Sequence, residues 1–147
     1  MERLERIRFL SKADMLKPVR DAVRDLAKRQ GCTKENLDCM VMAINEACMN
    51  VMQHAYGDDE EGEIILEFWK DTDDLVIRIY DFAEKVDKSK IKSRDLDDIK
   101  PGGLGVHLIN KVMDKVEFVD VPNEPGNVLE MRKRISSNKT CGNNCKE

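Results

Sequence analysis

Residues 33–55 are apolar around most of their circumference when the segment is drawn as a helix. Apolar side chains recur there at three- and four-residue spacing, which predicts an α-helix. Thr33 is a favourable N-cap residue for this helix. The opposite side carries alanine, cysteine and methionine where a surface helix carries lysine and glutamate. Beyond the first turn only Asp38 and Glu46 are charged. Such a helix must be buried on most sides, or must face a ligand on one of them.

The rest of the chain alternates between strand-like and helix-like patterns. Five segments have the β-branched and aromatic composition of strands: residues 4–10, 63–69, 75–81, 116–121 and 127–133. Amphipathic spacing predicts helices over residues 14–30 and 106–113 as well. Residues 70–74 are the predicted turn of the first hairpin. This order predicts an α+β fold, a two-layer α/β sandwich whose mixed, mostly antiparallel sheet is covered on one face by helices.

The size and charge of the chain restrict its class. Its 147 residues suit one domain, which we place at residues 1–135, followed by a polar, flexible tail of residues 136–147. The net charge is −4, which argues against direct binding to nucleic acid. No segment has the apolar length of a membrane span, and the charged start MERLERIRFL does not fit a signal peptide. We therefore expect a cytoplasmic protein that binds no membrane.

The chain has five cysteines, which is an odd number at irregular spacing. This is not the pattern of a disulfide framework, and the Cys141–Cys145 pair alone is a weak metal signal. We expect reduced thiols.

Glu46 and Asn50 lie four residues apart in the apolar helix, so their side chains project from the same face about one turn apart. A carboxylate in such surroundings is costly unless it is paired or meets water or a ligand. One interpretation is a general base next to a ligand for a hard cation such as Mg²⁺. The alternative is a buried glutamate that is hydrogen-bonded to the backbone.

Two further features resemble parts of a binding site. Asp81 ends a predicted strand, where carboxylates commonly recognise a ligand or cap a turn. About twenty densely charged residues follow, which is typical of a lid or binding loop. Three glycines, Gly102, Gly103 and Gly105, then stand directly before a helix, where backbone N–H groups can approach phosphate. A purely structural turn is the alternative.

Taken in order, these segments resemble a known family. The run from Asn45 to Tyr56 is similar to the N box of the histidine-kinase-like ATPases, which have the Bergerat ATP-binding fold. Asp81 stands at the position of the first glycine-box aspartate, and the run from Pro101 to Ile109 resembles the second glycine box. Within that superfamily the chain resembles most closely the anti-sigma factor serine/threonine kinases of bacterial partner-switching systems.

The resemblance implies an ATP site and a set of partners. Glu46 would be the catalytic general base and Asn50 the Mg²⁺ ligand, while Asp81 would accept a hydrogen bond from the adenine amino group. The remaining nucleotide-binding positions would be Ala83, Gly102, Gly103, Leu104, Gly105 and Val106. The partners would be an anti-sigma factor antagonist, which is the phospho-acceptor, and a sigma factor or analogous regulator, with the kinase a homodimer.

One departure from the family pattern concerns the nucleotide. Ala83 stands where the family usually has glycine, so a methyl group enters a place where close backbone approach or a positive φ is expected. This favours, as an alternative, a binding module that only sequesters its partner. An ATP hydrolase that uses Glu46 to activate water is a further alternative.

Overall fold

The computed structural model describes residues 1–83, 104–123 and 126–135. Its strands and helices are β1 (Glu2–Leu10), α1 (Leu16–Arg29), α2 (Lys34–Val51), β2 (Glu63–Asp71), β3 (Asp74–Asp81), α3 (Leu104–Val112), β4 (Lys115–Val119) and β5 (Asn127–Arg134). A 3-10 turn, Ala13–Met15, precedes α1, and a π-helical turn, Met52–Tyr56, extends α2. The predicted lid of residues 84–100, with Gly102, Gly103 and the tail of residues 136–147, lies outside the described residues.

The five strands form one sheet in the order β1-β2-β3-β5-β4. All four pairings between the described strands are antiparallel. The α+β prediction is confirmed, with a sheet that is more regular than the mixed one expected. The first hairpin is tighter than predicted, because Asp71 pairs with Asp74 and only Thr72 and Asp73 form the turn. Thr72 has a φ of 54°, which a two-residue hairpin turn demands.

Helix α2 lies between the two other helices and contacts both of them. This explains its apolar circumference, since α1, α3 and the sheet cover most of its sides. Thr33 caps it as predicted, and its Oγ1 accepts a hydrogen bond from the Asn36 N–H at 3.2 Å. Arg20 on α1 donates to Asn45 Oδ1 on α2 at 3.0 Å. None of the helices in the described ranges has the length and apolar character needed to cross a membrane.

Successive side chains of each strand point to opposite faces of the sheet. We call the face that packs against the helices the helix side and the other face the outer side. The helix side holds the main core, in which Ile64, Leu66 and Phe68 of β2 pack with inward residues of β3, β5 and the helices. The outer side has a smaller buried group of Ile65, Tyr80 and Val128. Asp81 directly follows Tyr80, so its side chain returns to the helix side.

The outer side contains a buried carboxylate that is well supplied with donors. Glu67 is only 5% exposed. Its Oε1 accepts hydrogen bonds from the Tyr80 hydroxyl at 2.7 Å and from Trp69 Nε1 at 3.0 Å. Burial, followed by the bond to Glu67, raises the pKa of Tyr80 to about 12, so Tyr80 remains a donor at neutral pH. These bonds satisfy a charge that burial alone would make costly.

Trp69 stands between two arginines on the same side of the sheet. The guanidinium carbons of Arg3 and Arg78 lie 6.0 and 5.9 Å from the ring centroid, within the usual range of cation–π contacts. Arg78 Nε also donates to Glu130 Oε2 at 2.9 Å. The indole is therefore held in place by neighbours from two other strands.

The cysteines follow the sequence expectation in part. Cys32 and Cys48 are free thiols, and burial raises the pKa of Cys48 to about 12. Cys39 on α2 is disulfide-bonded, so the prediction of reduced thiols is wrong for this residue. Cys141 and Cys145 lie outside the described residues.

We predict that Tyr80→Phe lowers the free energy of unfolding by about 1–3 kcal/mol, because buried Glu67 loses a donor. Arg8→Ala is the control, since it removes a pair with Glu63 whose side chains are 62% and 39% exposed. That change should cost less than about 1 kcal/mol. Urea unfolding at neutral pH measures both variants. Equal small effects would show that the Glu67 network does not stabilise the sheet.

Candidate functional site

Helix α2 carries the first pair of candidate residues. Glu46 and Asn50 are both partly exposed, whereas Ala47 and Cys48 between them are fully buried. Within the described part of the chain, neither Glu46 nor Asn50 makes a side-chain hydrogen bond or an ion pair. The alternative of a buried glutamate bonded to the backbone is therefore wrong. The two side chains form a polar row at the edge of an otherwise apolar helix.

Asp81 is the second component of the site. It is the last residue of β3 and is 5% exposed. Its Oδ1 accepts hydrogen bonds from Asn127 Nδ2 and from the Ala83 N–H, each at 3.0 Å. Burial raises the pKa of the Asp81 carboxyl, while these two donors partly oppose the rise. The carboxylate is thus held in one orientation at the point where the chain leaves the sheet.

Asn127 is a site residue that sequence reasoning missed. It is the first residue of β5, and the β3–β5 register sets it opposite Asp81. The residue is 8% exposed. Only the strand pairing could have identified it, because an asparagine that begins a strand carries no local signal of its own.

Gly126 occupies a position that only glycine can fill. Its φ is +81°, and a Cβ there would lie 2.0 Å from the carbonyl oxygen of Asp81 and 2.8 Å from Phe82 Cα. Both the left-handed backbone and the close approach exclude a side chain. Gly126 therefore lets the chain entering β5 pack directly against the Asp81–Phe82 peptide.

Ala83 does not strain the backbone. Within the described ranges the non-glycine residues with positive φ are Thr72 and Asn123, so Ala83 has a conformation that any L-residue adopts. Its N–H donates to Asp81, as described above. A glycine is therefore not required at this position for backbone geometry.

Part of the glycine run is described by the structure. Helix α3 begins at Leu104, two residues earlier than predicted, so Gly105 and Val106 lie in its first turn. The first N–H groups of a helix have no partner within it and favour anions. Helix α3 also contacts α2, which brings this helix next to the one that carries Glu46 and Asn50.

Comparison with known proteins now identifies the family. Residues 9–133 match the model of the histidine kinase-like ATPase domain. The chain belongs to this family. The match includes both the row on α2 and the end of β3.

Curated relatives narrow the assignment to kinases. The chain is 35% identical over 131 residues to the serine-protein kinase RsbW of Halalkalibacterium halodurans, which covers 84% of the chain and 78% of that protein. It is 32% identical over 145 residues to the serine-protein kinase RsbW of Bacillus cereus strain ZK, which covers 92% of the chain and 88% of that protein. At this identity and coverage the chain belongs to the RsbW group of serine-protein kinases.

Solved structures share the fold at lower identity. The RsbU and RsbW domains of Rv1364c from Mycobacterium tuberculosis align with a TM-score of 0.62 and 15% identity, over 92% of this chain and 32% of that one. The SiaB–SiaC complex from Pseudomonas aeruginosa aligns with a TM-score of 0.60 and 13% identity, over 90% of each chain. These likenesses confirm the predicted fold.

We predict a pH-dependent effect of Asp81→Asn on stability. The pKa of Asp81 is raised above its ordinary 3.8, so the folded protein holds this proton more tightly than the unfolded chain. The stabilisation that Asp81 contributes to the fold is therefore lost as the pH rises from about 4 through the raised pKa. The amide oxygen of the variant can still accept from Asn127 and Ala83 without titrating.

The free energy of unfolding of Asp81→Asn, relative to the parent protein, should accordingly rise between about pH 4 and about pH 7. Chemical denaturation across this range measures the difference. Asp58→Asn, at an exposed aspartate, makes the same change of charge away from the sheet and is the control. A flat difference for Asp81→Asn would contradict the shift.

We predict that Gly126→Ala is more destabilising than Gly31→Ala. Both glycines have positive φ, +81° and +83°, but a Cβ at Gly31 meets nothing within 4 Å. Gly31→Ala should therefore cost only the left-handed strain, about 1–2 kcal/mol. The clash with Asp81 should add about 1–3 kcal/mol for Gly126→Ala. Equal losses of unfolding free energy in urea would show that the close approach is easily relieved.

Proposed function

We propose that the protein uses ATP and Mg²⁺ to phosphorylate a serine or threonine of a small anti-sigma factor antagonist, and that it also binds a sigma factor or an analogous regulator. Two observations carry this proposal: a polar row on α2 and an oriented carboxylate at the end of β3. Glu46 and Asn50 are available on the helix, and the Asp81 carboxylate is oriented at the end of β3. Membership of a family of serine-protein kinases supports the same reading.

Asp81 is proposed to recognise adenine. The two donors on Oδ1 fix the plane of the carboxylate, and a carboxylate accepts hydrogen bonds from an amino group. Adenine presents an amino donor where guanine presents a carbonyl acceptor. A held carboxylate therefore favours ATP over GTP.

Glu46 and Asn50 are proposed to serve phosphoryl transfer. The Glu46 carboxylate would take the proton of the acceptor hydroxyl as it attacks the γ-phosphorus of ATP. The Asn50 amide oxygen would be a ligand for Mg²⁺, which neutralises charge on the phosphates. Within the described residues no three His, Cys, Asp or Glu side chains converge as a metal site. This fits Mg²⁺, which is commonly held by one or two protein groups together with phosphates and water.

The start of α3 is proposed to meet the phosphates. The backbone N–H groups of Leu104, Gly105 and Val106, with Gly102 and Gly103 before them, would bind the phosphate oxygens. The densely charged residues 84–100 would close over the nucleotide. Proximity of α3 to α2 supports this arrangement, because the phosphates would then lie between the glycine run and Asn50.

The partners are proposed from the relatives. The relatives are serine-protein kinases, and a chain of the same fold is found in the SiaB–SiaC complex, so this fold occurs both in kinases and in a protein–protein complex. We propose that the present protein acts in the cytoplasm as a homodimer. Its two binding activities would let phosphorylation of the antagonist control access to the regulator.

One assay separates this function from its alternatives. The protein is incubated with γ-labelled ATP, Mg²⁺ and purified anti-sigma factor antagonist proteins. Label on the antagonist identifies a kinase, whereas free labelled phosphate without it identifies a hydrolase. If neither appears while the protein still binds a sigma factor, it acts by sequestration alone.

We predict that Glu46→Gln slows phosphoryl transfer by about 10²–10⁴-fold while ATP affinity changes little, because only the base is lost. Asn50→Ala should weaken Mg·ATP binding as well as turnover. Calorimetry with Mg·ATP and single-turnover transfer separate the two effects. Gln53→Ala, an exposed change near the end of the same helix, is the control and should leave both measurements unchanged. Transfer at the parent rate by Glu46→Gln would exclude the general-base role.

A further inference from the structure

Tyr56 connects the end of the α2 extension to the start of β2 and the end of β3. It is the last residue of the π-helical turn that continues α2. Its hydroxyl accepts a hydrogen bond from the Phe82 N–H at 2.8 Å and donates one to the Glu63 carbonyl at 2.7 Å. One side-chain atom thus joins the residue after Asp81 to the first residue of β2.

The ring of Tyr56 is held as firmly as its hydroxyl. A Cβ on Gly62 would lie 2.3–2.5 Å from three atoms of that ring, so the ring packs directly against the Gly62 backbone. Gly62 is itself fixed, because its carbonyl accepts from the Ser11 N–H at 2.8 Å. The ring therefore cannot move toward β2 without disturbing the place where β2 begins to pair with β1.

The hydroxyl keeps its proton under ordinary conditions. Burial raises the pKa of Tyr56, and the nearby carboxylates of Asp81 and Glu63 raise it further, although the hydrogen bond from Phe82 opposes them. A protonated phenol can accept and donate at once. Both bonds of Tyr56 therefore persist at neutral pH.

Asp81 lies between this anchor and a second one. Tyr56 holds the N–H of Phe82, and Gly126 packs against the carbonyl of Asp81, so the peptide joining Asp81 to Phe82 is fixed at both ends. The Ala83 N–H, one residue further, donates to the Asp81 carboxylate. A shift of Phe82 would therefore move the donor that orients the carboxylate.

We propose that Tyr56 is a positioning residue for nucleotide selectivity: by holding the Phe82 amide it keeps Asp81 in the orientation that prefers adenine to guanine. This inference rests on the proposed function, because it assumes that Asp81 contacts the base. It adds a role for a residue that touches neither base nor phosphate. The same helix would thus carry the catalytic row and fix the selectivity group at its far end.

The test compares ATP and GTP. Tyr56→Phe retains the ring against Gly62 and loses only the hydroxyl. We expect its affinity for Mg·ATP to fall about tenfold, as for the loss of one well-placed hydrogen bond. Its affinity for Mg·GTP should change little. The ratio of its ATP affinity to its GTP affinity, called here the ATP:GTP ratio, therefore falls. Calorimetry with each nucleotide gives the ratio.

Tyr80→Phe is the matched control. It also removes a tyrosine hydroxyl from a hydrogen bond near the end of β3, but on the outer side of the sheet. It should lower stability while leaving the ATP:GTP ratio at the parent value. A purely structural role for Tyr56 would give the same result for Tyr56→Phe.

A second pair of variants tests the contact with Gly62. Gly62→Ala should displace the ring and reduce the ATP:GTP ratio as Tyr56→Phe does. In a Tyr56→Ala background the same change should have no further effect on the ratio, because the clashing ring is gone. If the effects of the two changes on the ATP:GTP ratio are additive instead, the contact between the Tyr56 ring and Gly62 is not the cause.

The outcomes distinguish the two proposals. A parent protein without preference for ATP would overturn the proposed role of Asp81, and this inference with it. A parent protein with the preference, together with a Tyr56→Phe variant that retains it, would overturn the role of Tyr56 alone. Loss of the preference in Tyr56→Phe but not in Tyr80→Phe is the supporting result.

Discussion

The double pairing of β3 is the constraint on which the candidate site depends. This strand is hydrogen-bonded to β2 on one side and to β5 on the other, so its position and register cannot be adjusted independently. The register brings Asn127 to Asp81, although these residues are 46 apart along the chain. A shift of one residue would turn the Asp81 carboxylate to the opposite face of the sheet.

The chain leaves the sheet after Asp81, and its backbone there needs new hydrogen-bond partners. After Asp81 the backbone no longer has strand partners on both sides, and buried N–H and C=O groups need others. The Phe82 N–H is satisfied by Tyr56, and the Ala83 N–H by the carboxylate of Asp81. The same hydrogen bonds that end the strand therefore orient the side chain proposed to read the base. This also explains why alanine is tolerated at residue 83, where the contact is made by the backbone.

Local patterns in the sequence were sufficient for the elements and for part of the site. Helix α2, the first hairpin and the Glu46–Asn50 row follow from spacings of two to four residues, which local physics determines. The contributions of Asn127, Gly126 and Tyr56 could not be obtained in this way, because each depends on which distant strand lies alongside. Gly126 stands directly before β5, but nothing in the local sequence indicates that it meets Asp81. Short-range periodicity likewise placed Cys39 in the apolar helix without revealing its disulfide.

The position of Trp69 has a practical consequence for spectroscopy. It is the only tryptophan of the chain, and it lies on the outer side of the sheet, opposite the helices. Along β3 its partner Val76 is five residues from Asp81, about 17 Å at the usual rise of a strand. Tryptophan emission therefore reports the integrity of the sheet and the approach of molecules to its outer side. Occupancy of the proposed nucleotide site has to be followed with a labelled nucleotide, since Trp69 lies on the face of the sheet opposite to Asp81.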